Sequence, residues 1–236
     1  MYANSRPVST AQTGVHPRLV ETVLCHRDHP WRKPMSAAGT AAMAIVRSWL
    51  DEDPVTPWVL DAGCGTGASS RALLARESGV RVLGVDQSAN RLRLAGAGLV
   101  AERSPDLLLI RAPMEDLWRL LLTEGRHPAR QLLWYPNPWP KPDHLKRRWH
   151  GHPVFPAIVA LGGELEARSN WRTYLEELAL ALKLCGSEAV IEAIPEDQPP
   201  VTPFERKYRD SGQALWVLRC RLSQVPQTSC SLASSA

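Results

Sequence analysis

The sequence predicts an α/β domain built on a mostly parallel sheet, and three observations carry that prediction. From Trp58 onward, short apolar runs alternate with helix-patterned segments. The first run ends in a glycine-rich turn and the second in an acid, Asp86. The chain has 236 residues, 44% hydrophobic and 22% charged, which is enough for one domain with a full core and no staple.

The elements follow in order. Residues 1–15 read as a loose polar tail, and residues 16–35 as an irregular arm. Ser36 is suited to N-cap a helix running to about Asp51. Trp58 to Asp61 is a short buried strand, followed by the glycine turn and a helix over 68–78. The run 80–86 is a second strand, and Ser88 caps an expected helix to about 103. Leu107 to Arg111 is a third strand, leading to a helix over 114–123. Gln131 to Tyr135 is a fourth strand that ends in a proline-rich loop, with a helix near 153–161 beyond it. Strand 164–169 precedes a helix over 171–184, whose leucines at 175, 178, 180 and 182 read as those of an amphipathic helix. Strands 188–194 and 213–221 close the chain without a long helix between them, so an antiparallel strand is expected at the C-terminal edge. Strands that are apolar throughout imply helices on both faces of the sheet. The organisation expected is an arm over 1–35, one domain over 36–223 and a loose tail over 224–236.

Composition narrows the function. The 15 glycines and 20 prolines show no repeat period, which excludes collagen-like and low-complexity classes. No apolar run is long enough for a membrane helix, and the polar N-terminus lacks a secretory apolar stretch. The five cysteines are odd in number and scattered, as expected of reduced thiols in the cytoplasm. Cys25, His26 and His29, even with His150 or His152, match no metal-ligand spacing, so no metal is expected. Glu164 and Glu166 share one strand face and read as an exposed sheet surface. A net charge of +4 permits a nucleic-acid partner, and nine tryptophans supply flat surfaces for stacking.

Two segments carry chemistry. Asp61-Ala62-Gly63-Cys64-Gly65-Thr66-Gly67 lies between strand and helix, and Asp86 stands nineteen positions after Gly67 at the end of the next strand. Glycines let a ligand approach the backbone, and an acid there can accept from both hydroxyls of a ribose. The spacing is neither that of a dinucleotide fingerprint nor that of a phosphate-binding P-loop. A nucleotide site or a purely structural turn remains open on the residues alone. The second segment runs from Tyr135 to His150. Its prolines preorganise the loop, and its basic residues between Trp139 and Trp149 suit phosphates and unstacked bases.

The pattern D-x-G-C-G-T-G resembles motif I of class I S-adenosylmethionine (SAM) methyltransferases, which implies a Rossmann-like methyltransferase fold. The string Y-P-N-P-W-P-K-x-x-H-x-K-R-R resembles the signature loop of bacterial tRNA (guanine-N7)-methyltransferases. Ser169 to Tyr174 and Thr202 to Tyr208 resemble two later segments of the same family, in the same order. The resemblance implies SAM as cofactor and tRNA as partner; no obligatory protein partner is evident in the sequence. Asp61, Gly63, Gly65, Gly67, Asp86, Gln87, Met114, Glu115 and Asn137 would hold SAM. Asn137 would also be the catalytic position, between SAM and base. Lys141, His144, Asn170, Thr202 and Glu205 would contact the nucleoside, with Arg147 and Arg148 on RNA phosphate. The chain departs from the family pattern in carrying Asn137 and Asn170 where the family has Asp. Guanine N7 already presents a lone pair, so its methylation needs alignment rather than a strong base. A methyltransferase for another RNA, protein or small molecule is the alternative. A non-catalytic protein that binds SAM and RNA is a further one.

Overall fold

The computed structural model describes residues 5–223. The tail expected over 224–236 and residues 1–4 lie outside them. Eight strands form one sheet in the order β3-β4-β2-β1-β5-β6-β8-β7. Their ranges are β1 Trp58–Ala62, β2 Arg81–Asp86, β3 Val100–Arg103, β4 Leu107–Arg111, β5 Arg130–Trp134, β6 Glu164–Ser169, β7 Ala189–Ala193 and β8 Trp216–Arg221. The strands β4, β2, β1, β5 and β6 are parallel neighbours, and β3 and β8 pair antiparallel to theirs. The order reverses beside β1, whose neighbours are β2 on one side and β5 on the other. That switch point opens a crevice at the carboxyl ends of β1 and β5, where such sheets bind ligands.

Alternation along each strand divides the core. Leu60, Ala62, Leu83, Val85, Leu108, Ile110, Leu165 and Ala167 face a thick helical layer. That layer contains α1 (Leu19–Asp28), α2 (Ala37–Glu52), α4 (Met114–Thr123), α5 (Phe155–Ala160) and α6 (Arg172–Leu184). On the other face α3 (Ala68–Leu74) packs Leu73 over Val59, Val82 and Leu109. Beyond α3, the same face over β6 and β8 is polar. Glu166 accepts there from Trp134, Arg168 and Arg219 at 3.0, 2.8 and 3.2 Å. The exposed-sheet reading of Glu166 is therefore refined to an ion-paired surface.

Five expectations are corrected. The arm over 16–35 contains α1, whose Leu19 and Val23, one turn apart, are buried against the helical layer. Residues 5–15 are not loose: Thr10 donates to the Pro140 carbonyl, and Gln12 donates to Glu177 at 2.6 Å. The helix expected after Ser88 is a short turn followed by β3, because Arg93 and Gly96 take positive φ and end the helical path. The helix expected over 68–78 stops at Leu74. The C-terminal strand β8 is antiparallel, but it lies one position inside the edge, between β6 and β7. An eight-residue helix, α7 (Pro203–Asp210), joins β7 to it.

The cap predicted at Ser36 is present. Its Oγ accepts from Gly39 N–H at 3.0 Å and donates to buried Asp116 at 2.6 Å, tying α2 to α4. Ser36→Ala should cost roughly 1–2 kcal/mol for the lost cap, read as a lower urea midpoint at unchanged slope. An unchanged midpoint would show that the cap is idle. Among the described residues no helix is long and apolar enough to cross a membrane.

Candidate active site

The glycine turn leaves β1 and enters α3 with Gly63, Gly65 and Gly67 at φ of 86°, 60° and 75°. At Gly67 a β-carbon would stand 2.3 Å from Leu109 Cδ1, so close packing and backbone conformation both require glycine. At Gly65 nothing lies within 4 Å of that position, so its bare face looks into open space. Asp86 organises the turn: one carboxylate oxygen accepts from Gly65 N–H at 3.0 Å, the other from Ser88 N–H at 2.7 Å. Each oxygen retains acceptor capacity for a further donor. The Arg91 guanidinium lies 3.6 Å from the same carboxylate.

Asp61 lines the base of the turn. It is buried and accepts from Ser69 Oγ at 2.8 Å and Ser70 Oγ at 2.7 Å, anchoring the start of α3. Burial raises its pKa; the two serine bonds oppose that, and nearby Asp86 adds to it. Cys64 is buried, and burial followed by the Asp61 and Asp86 charges drives its thiol pKa well up, as suits a packing residue.

A cavity of about 190 Å³ lies over this turn. Gly63, Gly65 and Thr66 form one side, and Thr202, Pro203 and Phe204 at the start of α7 form the other. Thr202 caps α7 by accepting from Glu205 N–H at 2.9 Å. Glu205 is fully buried, with Arg168 Nη1 at 3.1 and 3.2 Å from its two oxygens. Tyr135, Tyr208 and Phe204 make an aromatic row beside it, with centroids 5.5 and 6.4 Å apart.

The loop after β5 is conformationally strained. Tyr135 and Trp139 both take positive φ, 53° and 44°, which bulky residues adopt only when their surroundings hold them there. Asn137 is exposed between them, its Oδ1 accepting from Trp139 N–H at 3.2 Å. Lys141 is exposed, His144 sits 5.4 Å from the Trp139 ring, and Arg147 lies over the same ring at 4.7 Å. The chain then forms a 3₁₀ turn over Pro142–Arg147.

Arg148, which follows that turn, is the clamp for this loop. It is fully buried and donates to the Trp139 and Lys141 carbonyls at 3.2 and 3.3 Å. It also donates to Glu177 at 2.6 Å and to Gln12 at 3.0 Å. Glu177 receives His150 Nε2 at 2.9 Å and the His16 backbone N–H at 2.9 Å. Burial opposes the Glu177 charge, but the His150 and Arg148 bonds outweigh it and hold its pKa at about 2. Burial keeps the His150 ring below its ordinary value, against the opposing pull of Glu177. One buried carboxylate thus joins the N-terminal segment, the strained loop and α6.

Comparison with known proteins decides the family. The family model described as "Putative methyltransferase" matches residues 55–218. The chain belongs to this methyltransferase family. Curated relatives are named tRNA (guanine-N(7)-)-methyltransferase. That of Mycobacterium avium is 28% identical over 181 residues, covering 69% of this chain and 67% of its own. That of Burkholderia lata is 30% identical over 175 residues, covering 69% and 66%. That of Treponema pallidum is 29% identical over 171 residues, covering 67% and 64%. Among solved structures, an antibiotic-related methyltransferase shares the fold at a TM-score of 0.55 and 10% identity, covering 80% of this chain and 96% of that one. The aminoglycoside resistance methyltransferase NpmB1 does so at 0.54 and 20%, covering 75% and 93%.

In this methyltransferase the predicted residues fall into three groups. Gly63, Gly65, Gly67 and Asp86 converge at the glycine turn, with exposed Gln87 next to Asp86. Met114 and Glu115 open α4 after the neighbouring strand β4, with Met114 buried. Asn137, Lys141, His144 and Arg147 are displayed by the loop after β5, across the switch point. Three of the predicted residues are engaged within the protein. Arg148 cannot meet RNA phosphate, because it is fully enclosed and its donors are spent on the loop and Glu177. Glu205 is held by Arg168 rather than presented to a base edge. Asp61 supports α3 through its serines and also lines the cavity. Asn170 donates to Gln213 at 2.7 Å, and Gln213 in turn donates to the Ser5 carbonyl at 2.7 Å. Arg91, Arg168, Gln213 and the ion-pairing role of Glu177 carry no signal in the sequence. Each looks like an ordinary helix, strand or turn residue until its partner is known.

Proposed function

We propose that this methyltransferase uses SAM to methylate N7 of a guanine in tRNA. The observation that carries this reading is the pairing, across one switch point, of a bare-faced glycine turn with a strained, basic, proline-rich loop. The names of the relatives support it in the same direction.

The residues present fit SAM. The open faces at Gly63 and Gly65 let a ligand reach the backbone, and Asp86 keeps acceptors for ribose hydroxyls. Gln87, Met114 and Glu115 would complete the adenosine side. The cavity of about 190 Å³ over the turn would take only part of such a ligand, the rest extending toward Asp86 and Gln87. When bound, SAM supplies an electrophilic methyl on a sulfonium.

This chain's residues have the task of alignment. Asn137 is neutral and its carbonyl is already engaged by Trp139 N–H, so its amide N–H₂ remains to orient a base or ligand acceptor. No proton has to leave guanine N7, so no general base is needed, and Asn137 can occupy the site without one. Tyr135, Tyr208 and Phe204 offer faces to an unstacked base. Lys141, His144 and Arg147 present donors to RNA outside the crevice. Asn170 and Thr202 flank the site, while Glu205 keeps its place as the anchor of the α7 segment that carries Thr202.

The test is methyl transfer from labelled SAM to bulk tRNA, with nucleoside analysis of the product. The expected product is 7-methylguanosine. Verified SAM binding with no labelled tRNA, or label on another nucleoside, would overturn the reading.

A further inference from the structure

On the helical side of the molecule, a groove of about 890 Å³ runs between the end of α1, Trp31, α4 and α5. Pro30, Pro153, Pro156 and Ala157 give it an apolar floor. Its charged wall is not satisfied internally. Arg119 lies over the Trp31 ring at 4.8 Å and donates one guanidinium nitrogen to the Trp31 carbonyl, but its Nη1 is buried with no partner. A buried donor without an acceptor is costly to leave so, and the groove therefore favours an incoming anion.

The neighbouring charges share that sign. Among the described residues, no ion pair engages Arg32, Arg119 or Lys146. The acids nearby are already occupied, Glu115 by Lys33 at 3.9 Å and Asp28 by Arg27 at 2.7 Å. Burial and then the Lys146 charge hold the His26 imidazole below its ordinary value, so Lys146 is within electrostatic reach of the groove.

The groove is also continuous with the candidate substrate loop. Trp31 meets His152 edge-on at 5.0 Å, and His152 meets Trp149 at 5.9 Å. Trp149 begins the turn that directly follows Lys146, Arg147 and Arg148. A polyanion held at the loop can therefore continue along this aromatic and basic ladder.

We propose that this groove is a second docking surface for the phosphate backbone of the RNA substrate, with Arg119 and the exposed Arg32, next to groove-lining Trp31 in the chain, as its phosphate contacts. The proposal rests on the RNA-methyltransferase reading above. Continuity with the substrate loop favours RNA over an acidic protein segment.

The experiment measures the salt dependence of bulk tRNA binding for the wild-type chain, Arg32→Ala and the Arg32→Ala/Arg119→Gln double variant. Removing one phosphate-binding guanidinium should flatten the log–log slope by roughly 0.7–0.9. The single variant should therefore show one such step and the double variant about two. SAM affinity and kcat at saturating tRNA should stay within about twofold, since neither residue is placed in the reacting site. Arg32 is exposed, so its variant keeps the test valid if Arg119→Gln perturbs folding. Wild-type-like slopes in both variants would overturn this inference alone and leave the groove to an acidic protein partner. Absence of tRNA binding by the wild-type chain would overturn the function reading and this inference together.

Discussion

Glu177→Ala is expected to cost about 3–5 kcal/mol, because it leaves the fully buried Arg148 without its counter-charge. For a domain of this size that is a fall in Tm on the order of 10 °C. The loss should spread beyond α6, since the same carboxylate binds Gln12 and the His16 backbone, and Arg148 fixes the Trp139 and Lys141 carbonyls. Increased hydrogen exchange in both 5–16 and 137–148 would mark that spread. Glu177→Gln provides the control for charge alone, and its pH dependence has a definite sign. The folded pKa of about 2 lies below the ordinary 4.5, so the carboxylate contributes stability that is complete above about pH 4.5. That contribution is lost as pH falls through 2, where protonated Glu177 comes to resemble glutamine. The Tm gap between wild type and Glu177→Gln should be constant above pH 4.5 and close between 4.5 and 2. A gap that persists unchanged to pH 2 would refute the assignment of Glu177 as the charge that balances Arg148.

Gly65→Val should strongly weaken SAM binding in a chain that still folds. At φ of 60° a β-branched residue costs about 1–2 kcal/mol or more in backbone strain, a small part of a typical folding free energy. No protein atom lies within 4 Å of its β-carbon, so the core is not displaced. The new side chain instead fills the space a ligand needs, and its strain weakens the Gly65 N–H bond that orients Asp86. Calorimetry should show affinity reduced by roughly 100-fold or more, about 2.7 kcal/mol, with a near-native circular dichroism spectrum. SAM affinity within twofold of wild type would place the cofactor elsewhere.

The same two sites show why some features can be read in sequence and others cannot. β1, β2, β4, β5 and β6 are legible because strands buried on both faces are apolar almost throughout, as in Val82-Leu83-Gly84-Val85. The glycine turn is legible because only glycine fits Gly67 against Leu109, so the requirement is written into residue type. α1 escapes notice because its buried side is little more than Leu19 and Val23, too short a stripe to stand out. The Ser88 segment misleads because a good cap residue is followed by Gly96 and Gly98, which break the helix the cap would start.

Arg148 is the sharpest case. Lys146, Arg147 and Arg148 are one basic run in sequence, and every member looks fit for phosphate. A 3₁₀ turn repeats every three residues, so Arg148 returns to the side of buried Leu145, while Lys146 and Arg147 face outward. Which basic residue turns inward depends on that turn and on Glu177 waiting 29 positions later on α6. Glu205 follows the same rule, since its availability depends on Arg168, 37 positions away. Residue order alone sets where the chemistry stands along the chain: a glycine turn after β1, an acid at the end of β2 and a basic proline loop after β5. Which charged groups remain free for a ligand is settled in the folded chain, because a buried charge must be paired and the fold chooses its partner.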